Sequence, residues 1–171
     1  YKSIDHGENF EKVVMFENDS GYDMWTSRYV ESDVYVLNNS QIYILNSNDE
    51  LDELGNISTF ESGDNMLTGG FDENIFLYAK VGERIYFSDD GGLNWVDKGN
   101  QPQWTFMSNS FNSSNINTNI VGIGGIELFV SYNSASSWDL VNNWWQYYED
   151  PENLLHADIP EIRFFLDNDN N

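Results

Sequence analysis

At 171 residues the chain can bury a core as one domain or as a few units of a repeat protein, and with 16% aromatic and 40% apolar residues it does not have the composition of a disordered tail. Its 29 acidic against seven basic side chains give a formal charge of −22, which repels nucleic-acid phosphates and anionic lipid surfaces and argues against both as partners. With no cysteine there is no disulfide framework, thiolate metal site or cysteine nucleophile, and no segment reaches the roughly 18 to 20 apolar residues of a membrane span.

The chain opens on Tyr1-Lys2-Ser3-Ile4-Asp5 with no initiator Met, basic start or apolar run, so any signal peptide is expected to have been removed. Within this opening, Ser3-Ile4-Asp5-His6-Gly7-Glu8-Asn9-Phe10 has the form Ser-x-Asp-x-Gly-x-x-aromatic. Residues 33–37 and 41–45 alternate apolar and polar side chains around Asn38-Asn39-Ser40, which reads as a hairpin of two strands. The arrangement returns at 74–79 and 84–87 around Val81-Gly82-Glu83, and at 119–123 and 127–131 around Gly124-Gly125. Ser88-Asp89-Asp90-Gly91-Gly92-Leu93-Asn94-Trp95 follows the second hairpin directly. Ser131-Tyr132-Asn133-Ser134-Ala135-Ser136-Ser137-Trp138 follows the third, keeping Ser and Trp but with Asn133 for Asp and Ala135 for Gly. Nothing has helical periodicity over three turns, so the fold class is all-β with helix nearly absent.

Ser3 and Ser88 are 85 residues apart and Ser88 and Ser131 are 43 apart, two periods and one, so a further copy is due near residue 46. There the chain reads Ile42-Tyr43-Ile44-Leu45-Asn46-Ser47-Asn48-Asp49-Glu50-Leu51, a hairpin sequence whose turn motif has eroded. A period of about 43 falls in the range of four-stranded propeller blades. The chain resembles the Asp-box, or BNR-repeat, propellers of sialidases, sortilin-type receptors, xyloglucanases and exported bacterial proteins, over nearly its whole length. That resemblance implies β-propeller blades of four antiparallel strands in an incomplete ring, with the box as the turn between third and fourth strands. It also implies an exported protein, secreted or at a bacterial cell surface.

In such a box Ser and Asp bond back to turn amides, Gly takes a positive φ and the aromatic buries itself beneath the hairpin. Ser3, Asp5, Gly7, Phe10, Ser88, Asp90, Gly92, Trp95, Ser131, Asn133 and Trp138 are therefore expected to be structural, with Trp95 buried. Phased on the boxes, 1–16 is the end of a blade, 17–58 a blade with the eroded box, 59–100 a blade with an intact box and 101–143 a blade with the degenerate one. Residues 144–171 form a connection and the first strand of a further blade, Ile159-Pro160-Glu161-Ile162-Arg163-Phe164-Phe165. An open ring leaves unpaired edges, so the remaining blades are expected from a longer chain or, alternatively, from a neighbouring one.

Trp144, Trp145, Tyr147 and Tyr148 form the densest aromatic run, and the resemblance puts their connection on the face opposite the boxes, where ligands of such propellers bind. Stacked indoles and phenols suit sugar rings or a peptide, and equally suit filling the gap between blades. His156 and Asp158 lie in Leu155-His156-Ala157-Asp158-Ile159, similar to a stretch that opens an inner strand in exported bacterial members. Two residues apart, they would share one side of a strand. That suits a metal, a proton relay or a hydrogen bond between blades, with no third ligand or nucleophile beside them. Asp167-Asn168-Asp169-Asn170 alternates oxygen side chains as a calcium loop does but lacks the loop's Gly and terminal Glu. No cofactor is implied, with calcium the one option left open.

A sialidase would need three converging arginines, and only Arg28, Arg84 and Arg163 exist, Arg84 in a third strand away from the axis. Xyloglucanase-type catalysis needs two carboxylates about 5 to 9 Å apart, which 29 acids make impossible to single out. The acidity fits solubility, calcium or a basic protein partner. The leading reading is a noncatalytic binding or adhesion module with a glycan or protein ligand. A glycoside hydrolase with catalytic residues outside the segment, and a structural part of a large surface or secretion assembly, are the alternatives.

Overall fold

The computed structural model describes residues 1–16, 21–27, 33–57, 64–102 and 110–165. They form three four-stranded antiparallel sheets, each with its strands side by side in chain order. The first holds β1 (Tyr22–Thr26), β2 (Val34–Asn38), β3 (Gln41–Leu45) and β4 (Leu51–Asn56). The second holds β5 (Met66–Asp72), β6 (Asn74–Val81), β7 (Arg84–Ser88) and β8 (Val96–Asn100), and the third β9 (Ser110–Ser113), β10 (Val121–Gly124), β11 (Leu128–Ser131) and β12 (Asp139–Asn142). A single 3₁₀ turn, Trp144–Tyr148, follows β12.

The second and third strands of each sheet carry the branched and aromatic residues because the sheets pack face to face and these strands are covered on both sides. Alternation along β6 divides the core accordingly. Leu77, Ala79 and Val81 pack with Tyr35, Leu37, Ile42 and Leu67 in the seam between the first and second sheets. Phe76 and Tyr78 point the other way, to Phe111, Val121 and Ile123 of the third sheet. The four residues Phe76, Leu77, Tyr78 and Ala79 have no solvent exposure, so β6 is the centre of the structure.

The first strands of the sheets meet through side chains instead of a backbone ladder. Leu67 N donates to Asp23 Oδ2 at 2.8 Å, and Ser113 N to Thr68 Oγ1 at 3.1 Å. These strands approach closely: a Cβ added to Gly70 would lie 2.4 Å from Phe76 Cζ and 2.6 Å from the Asn115 backbone.

Register shifts between the third and fourth strands fall at Ile42/Tyr43, Ile85/Tyr86 and Leu128/Phe129, each 43 residues after the last. The first sheet thus keeps the bulge of the repeat although its turn sequence has eroded. In that turn Asn46 Oδ1 accepts from the amides of Asn48 at 2.9 Å and Glu50 at 3.1 Å, an Asx solution to the same reversal.

Two flanking pieces complete the described chain. Residues 1–16 contain a hairpin closed by the Lys2–Glu11 bridge and tied to the first sheet by a 2.6 Å ion pair from Lys2 to Asp49. The stretch 159–165, expected as a strand, has no ladder partner among the described residues and takes no regular secondary structure. It docks beside β9 all the same: Ser110 Oγ donates to Ile159 O and Asn112 Nδ2 to Ile162 O, both at 2.8 Å.

Candidate functional site

Ser3 beside the Lys2–Glu11 bridge, and Ser88 and Ser131 at the ends of β7 and β11, each build the turn that follows them. Ser3 Oγ donates to Asp5 Oδ1 at 2.8 Å and accepts from Gly7 N at 2.8 Å. Ser88 repeats both bonds with Asp90 (2.8 Å) and Gly92 (2.9 Å). Ser131 repeats them with Asn133 (3.0 Å) and Ala135 (2.9 Å). The Asp or Asn then accepts from the amide four residues on, Asn9, Asn94 or Ser137. Ala135 does what Gly7 and Gly92 do, holding a φ of 60°, in the left-handed region that costs a residue with a Cβ about 1 to 2 kcal/mol.

These bonds hold the Asp5 carboxyl at about 2, the amide and side chain of Asn9 contributing most and Ser3 less. At Asp90 burial pulls upward, but bonds from Asn94, Ser88 and Leu93 outweigh it and leave the group below the ordinary carboxylate range. The turns' aromatics depart from expectation. Phe10 is 62% exposed, because the hairpin of residues 1–16 has no first and second strands beneath it among the described residues. Trp95 and Trp138 are half-buried instead of buried. Trp95 lies against the first seam's core and donates from Nε1 to Gly92 O at 2.9 Å, so part of the indole must stay at the surface.

At the other end of the third sheet, β12 leads into the aromatic turn. Because β11 runs toward its Ser131 turn and β12 runs back, Trp144–Tyr148 lies at the end of the sheet away from Asn133. Asn143 caps it, its Oδ1 accepting from Trp145 N at 3.1 Å. Trp144 and Trp145 stack with centroids 4.1 Å apart and planes at 31°, and Tyr148 meets Trp144 edge-on at 6.0 Å. His156 joins them, edge-on to Tyr147 at 4.8 Å. Trp145 is 65% and Tyr148 63% exposed, while Trp144 and Tyr147 are half-buried beneath.

The expected pairing of His156 with Asp158 on one strand face does not form. Both lie in irregular chain ahead of Ile159, and Asp158 takes a φ of 70°, so period-two alternation does not apply. His156 faces rings, not the carboxylate. Among the described residues no group of three or more acidic or His side chains could hold a metal ion, and Asp167 to Asn170 lie outside the described residues. Arg84 lies on β7, hydrogen-bonded to Asp97 and Asn100. None of the helices among the described residues is long and apolar enough to cross a membrane.

A cavity of about 470 Å³ at the turn end of the second seam escaped sequence reasoning. Asp72, Glu73, Asp89, Phe76, Phe87 and Ser134 line it, drawn from the turns after β5, β7 and β11 and from β6 and β7 themselves. Tyr78 closes the core nearby by donating to Thr118 O, and burial pushes its phenol pKa up.

Three four-stranded antiparallel sheets packed face to face, with their first strands together, define a partial β-propeller. No protein-family model matches the sequence, and no curated protein matches it. Among solved structures the chain is similar to a propeller described as YCF48 bound to D1 peptide, with a TM-score of 0.54 at 12% identity. The match covers 71% of this chain and 39% of that one, so the chain spans well under half of that structure's length. At this identity the likeness is one of fold.

Proposed function

We propose that the chain is part of an exported Asp-box propeller, secreted or at a cell surface, that acts as a noncatalytic binding module and grips a polypeptide segment. The blades of this reading are 17–58, 59–100 and 101–143, flanked by the box of 1–16 and the connection 144–171. The family assignment draws on three turns with one hydrogen-bond pattern and on bulges at a period of 43. The observation that carries the binding role is the aromatic turn: Trp145 and Tyr148 stand open to solvent on a base of Trp144, Tyr147 and His156. Rings that served only to fill a seam would bury these faces, since apolar area in water costs roughly 25 cal/mol per Å². A polypeptide is favoured over a glycan because the propeller of similar fold was solved with a peptide bound.

The test is to probe peptide and glycan arrays with the wild-type chain and with Trp145→Ala/Tyr148→Ala. Peptide binding that the double variant loses, with the thermal transition moved by no more than a degree or two, supports the reading. A transition lowered by many degrees, with no binding by the wild type, would make the rings structural filler and sink it.

A further inference from the structure

We infer that the aromatic turn takes a basic segment, a Lys or Arg side chain lying on Trp145 and Tyr148 with its charge met by Glu149, Glu152 and Asp158. This rests on the reading of the turn as a ligand surface and adds the chemistry of the ligand.

The first support is local charge. Between Lys98 and Arg163 the sequence contains neither Lys nor Arg. In the same interval Glu149, Asp150, Glu152 and Asp158 crowd into the ten residues that directly follow the aromatic turn. Glu149, Glu152 and Asp158 are exposed, and their carboxylates make no hydrogen bond or ion pair among the described residues. Asp150 is occupied, both its oxygens accepting from Asn153 Nδ2 at 2.9 and 3.0 Å. Glu149 adjoins Tyr148, and Asp158 is two residues from His156, which touches Tyr147.

The second support is the rings themselves. An indole or phenol face attracts a cation through its quadrupole, most strongly for Trp and for Arg. The chain makes such a contact with its own cation, Lys98 Nζ lying 5.3 Å from the centroid of Phe87. At Trp145 no cation of the described chain occupies the equivalent position. Ring faces and free carboxylates together favour a cation, which both attract, over an anionic ligand, which the carboxylates repel. The charge of −22 also draws a basic partner in from a distance.

The test titrates three probes by calorimetry into the intact chain: a decapeptide of alternating Arg and Ser, the same peptide with Glu for Arg, and cellohexaose. The Arg peptide is expected to bind, more weakly as salt rises, and Trp145→Ala, which leaves net charge unchanged, to weaken it about five-fold. Glu149→Gln/Glu152→Gln/Asp158→Asn is expected to flatten the salt dependence. Equal binding of the Arg peptide by wild type and Trp145→Ala would show mere adsorption to an acidic surface and overturn the inference. Binding of the Glu peptide or cellohexaose, lost in Trp145→Ala, would also overturn it while keeping the turn as a ligand surface. If none of the three probes binds, the inference falls, and the peptide and glycan arrays decide the reading of the turn as a ligand surface.

Discussion

Residue 94 decides what residue 90 can be. Asp90 Oδ2 accepts from Asn94 Nδ2 at 2.7 Å, and Asp5 and Asn9 make the same contact at 2.6 Å. In the third turn the acceptor has become a donor: Asn133 Nδ2 gives its hydrogen to Ser137 Oγ at 2.8 Å. The degenerate motif is thus a paired exchange, Asp with Asn or Asn with Ser, and not simple decay. Asp90→Asn alone exchanges a charge-assisted contact for a neutral one at an exposed turn and is expected to cost about 1 kcal/mol, with Asp90→Asn/Asn94→Ser recovering part of it through the hydroxyl acceptor that Ser137 supplies in the third turn. The pair also changes the acid limb. Asp90 and Asp5 titrate lower in the fold than the roughly 3.9 of an unfolded Asp. Their contribution is therefore present above about pH 4 and lost as pH falls through the folded values, about 2 for Asp5. Melting curves from pH 7 to 2 should show a shallower acid loss for the double variant than for wild type.

Among elements, the second and third strands were legible and the first and fourth were not. Gln41–Leu45 and Asn74–Val81 show Ile, Leu, Phe and Tyr in near-continuous runs because residues on both of their faces are wholly or partly buried. Met66–Asp72 hides its nature behind Gly69 and Gly70, which are there for the close approach of neighbouring chain and not for propensity. Val96–Asn100 and Leu51–Asn56 are polar outer edges with exposed side chains, and their sequences, VDKGN and LDELGN, read as loop. Edges of this kind avoid pairing with other chains by carrying charge. Gly70→Ala should destabilise the chain by about 1 to 3 kcal/mol, the usual range for overpacking a filled site. Urea denaturation followed by tryptophan fluorescence measures it, and an unchanged midpoint would mean that Phe76 and the Asn115 loop yield freely.

For the whole molecule, the spacing of three serines was enough to anticipate repeated sheets, because each turn sits at the same point of its unit. The candidate site was legible as a run of rings at 144–148 with His156 and Asp158 beyond it, but not in its geometry. His156 comes in through a ring contact that no strand periodicity announces, and Asp158 does not share its side because its backbone turns to positive φ. The cavity walled by Asp72, Asp89 and Ser134 could not be read at all, since its parts meet only when two sheets pack. Packing also ranks stability along the chain. Amide hydrogen exchange should be slowest at residues 76–79, which face core on both sides, and fastest in residues 1–16, where Tyr1, Ile4, Phe10 and Met15 stand in solvent. Equal protection in the two regions would contradict this gradient.

Three of the side-chain joints along the first strands share one orientation. The side chain comes from the earlier segment and the backbone atom from the later one, Asp23 to Leu67 N, Thr68 to Ser113 N and Asn112 to Ile162 O, while Asn65 reaches back the other way to Gly21 O and Asn39 O. A chain leaving the ribosome amino end first therefore has these three sockets in place before their plugs are synthesised. The three seams can close in the order of translation, each newly made unit completing the one before it.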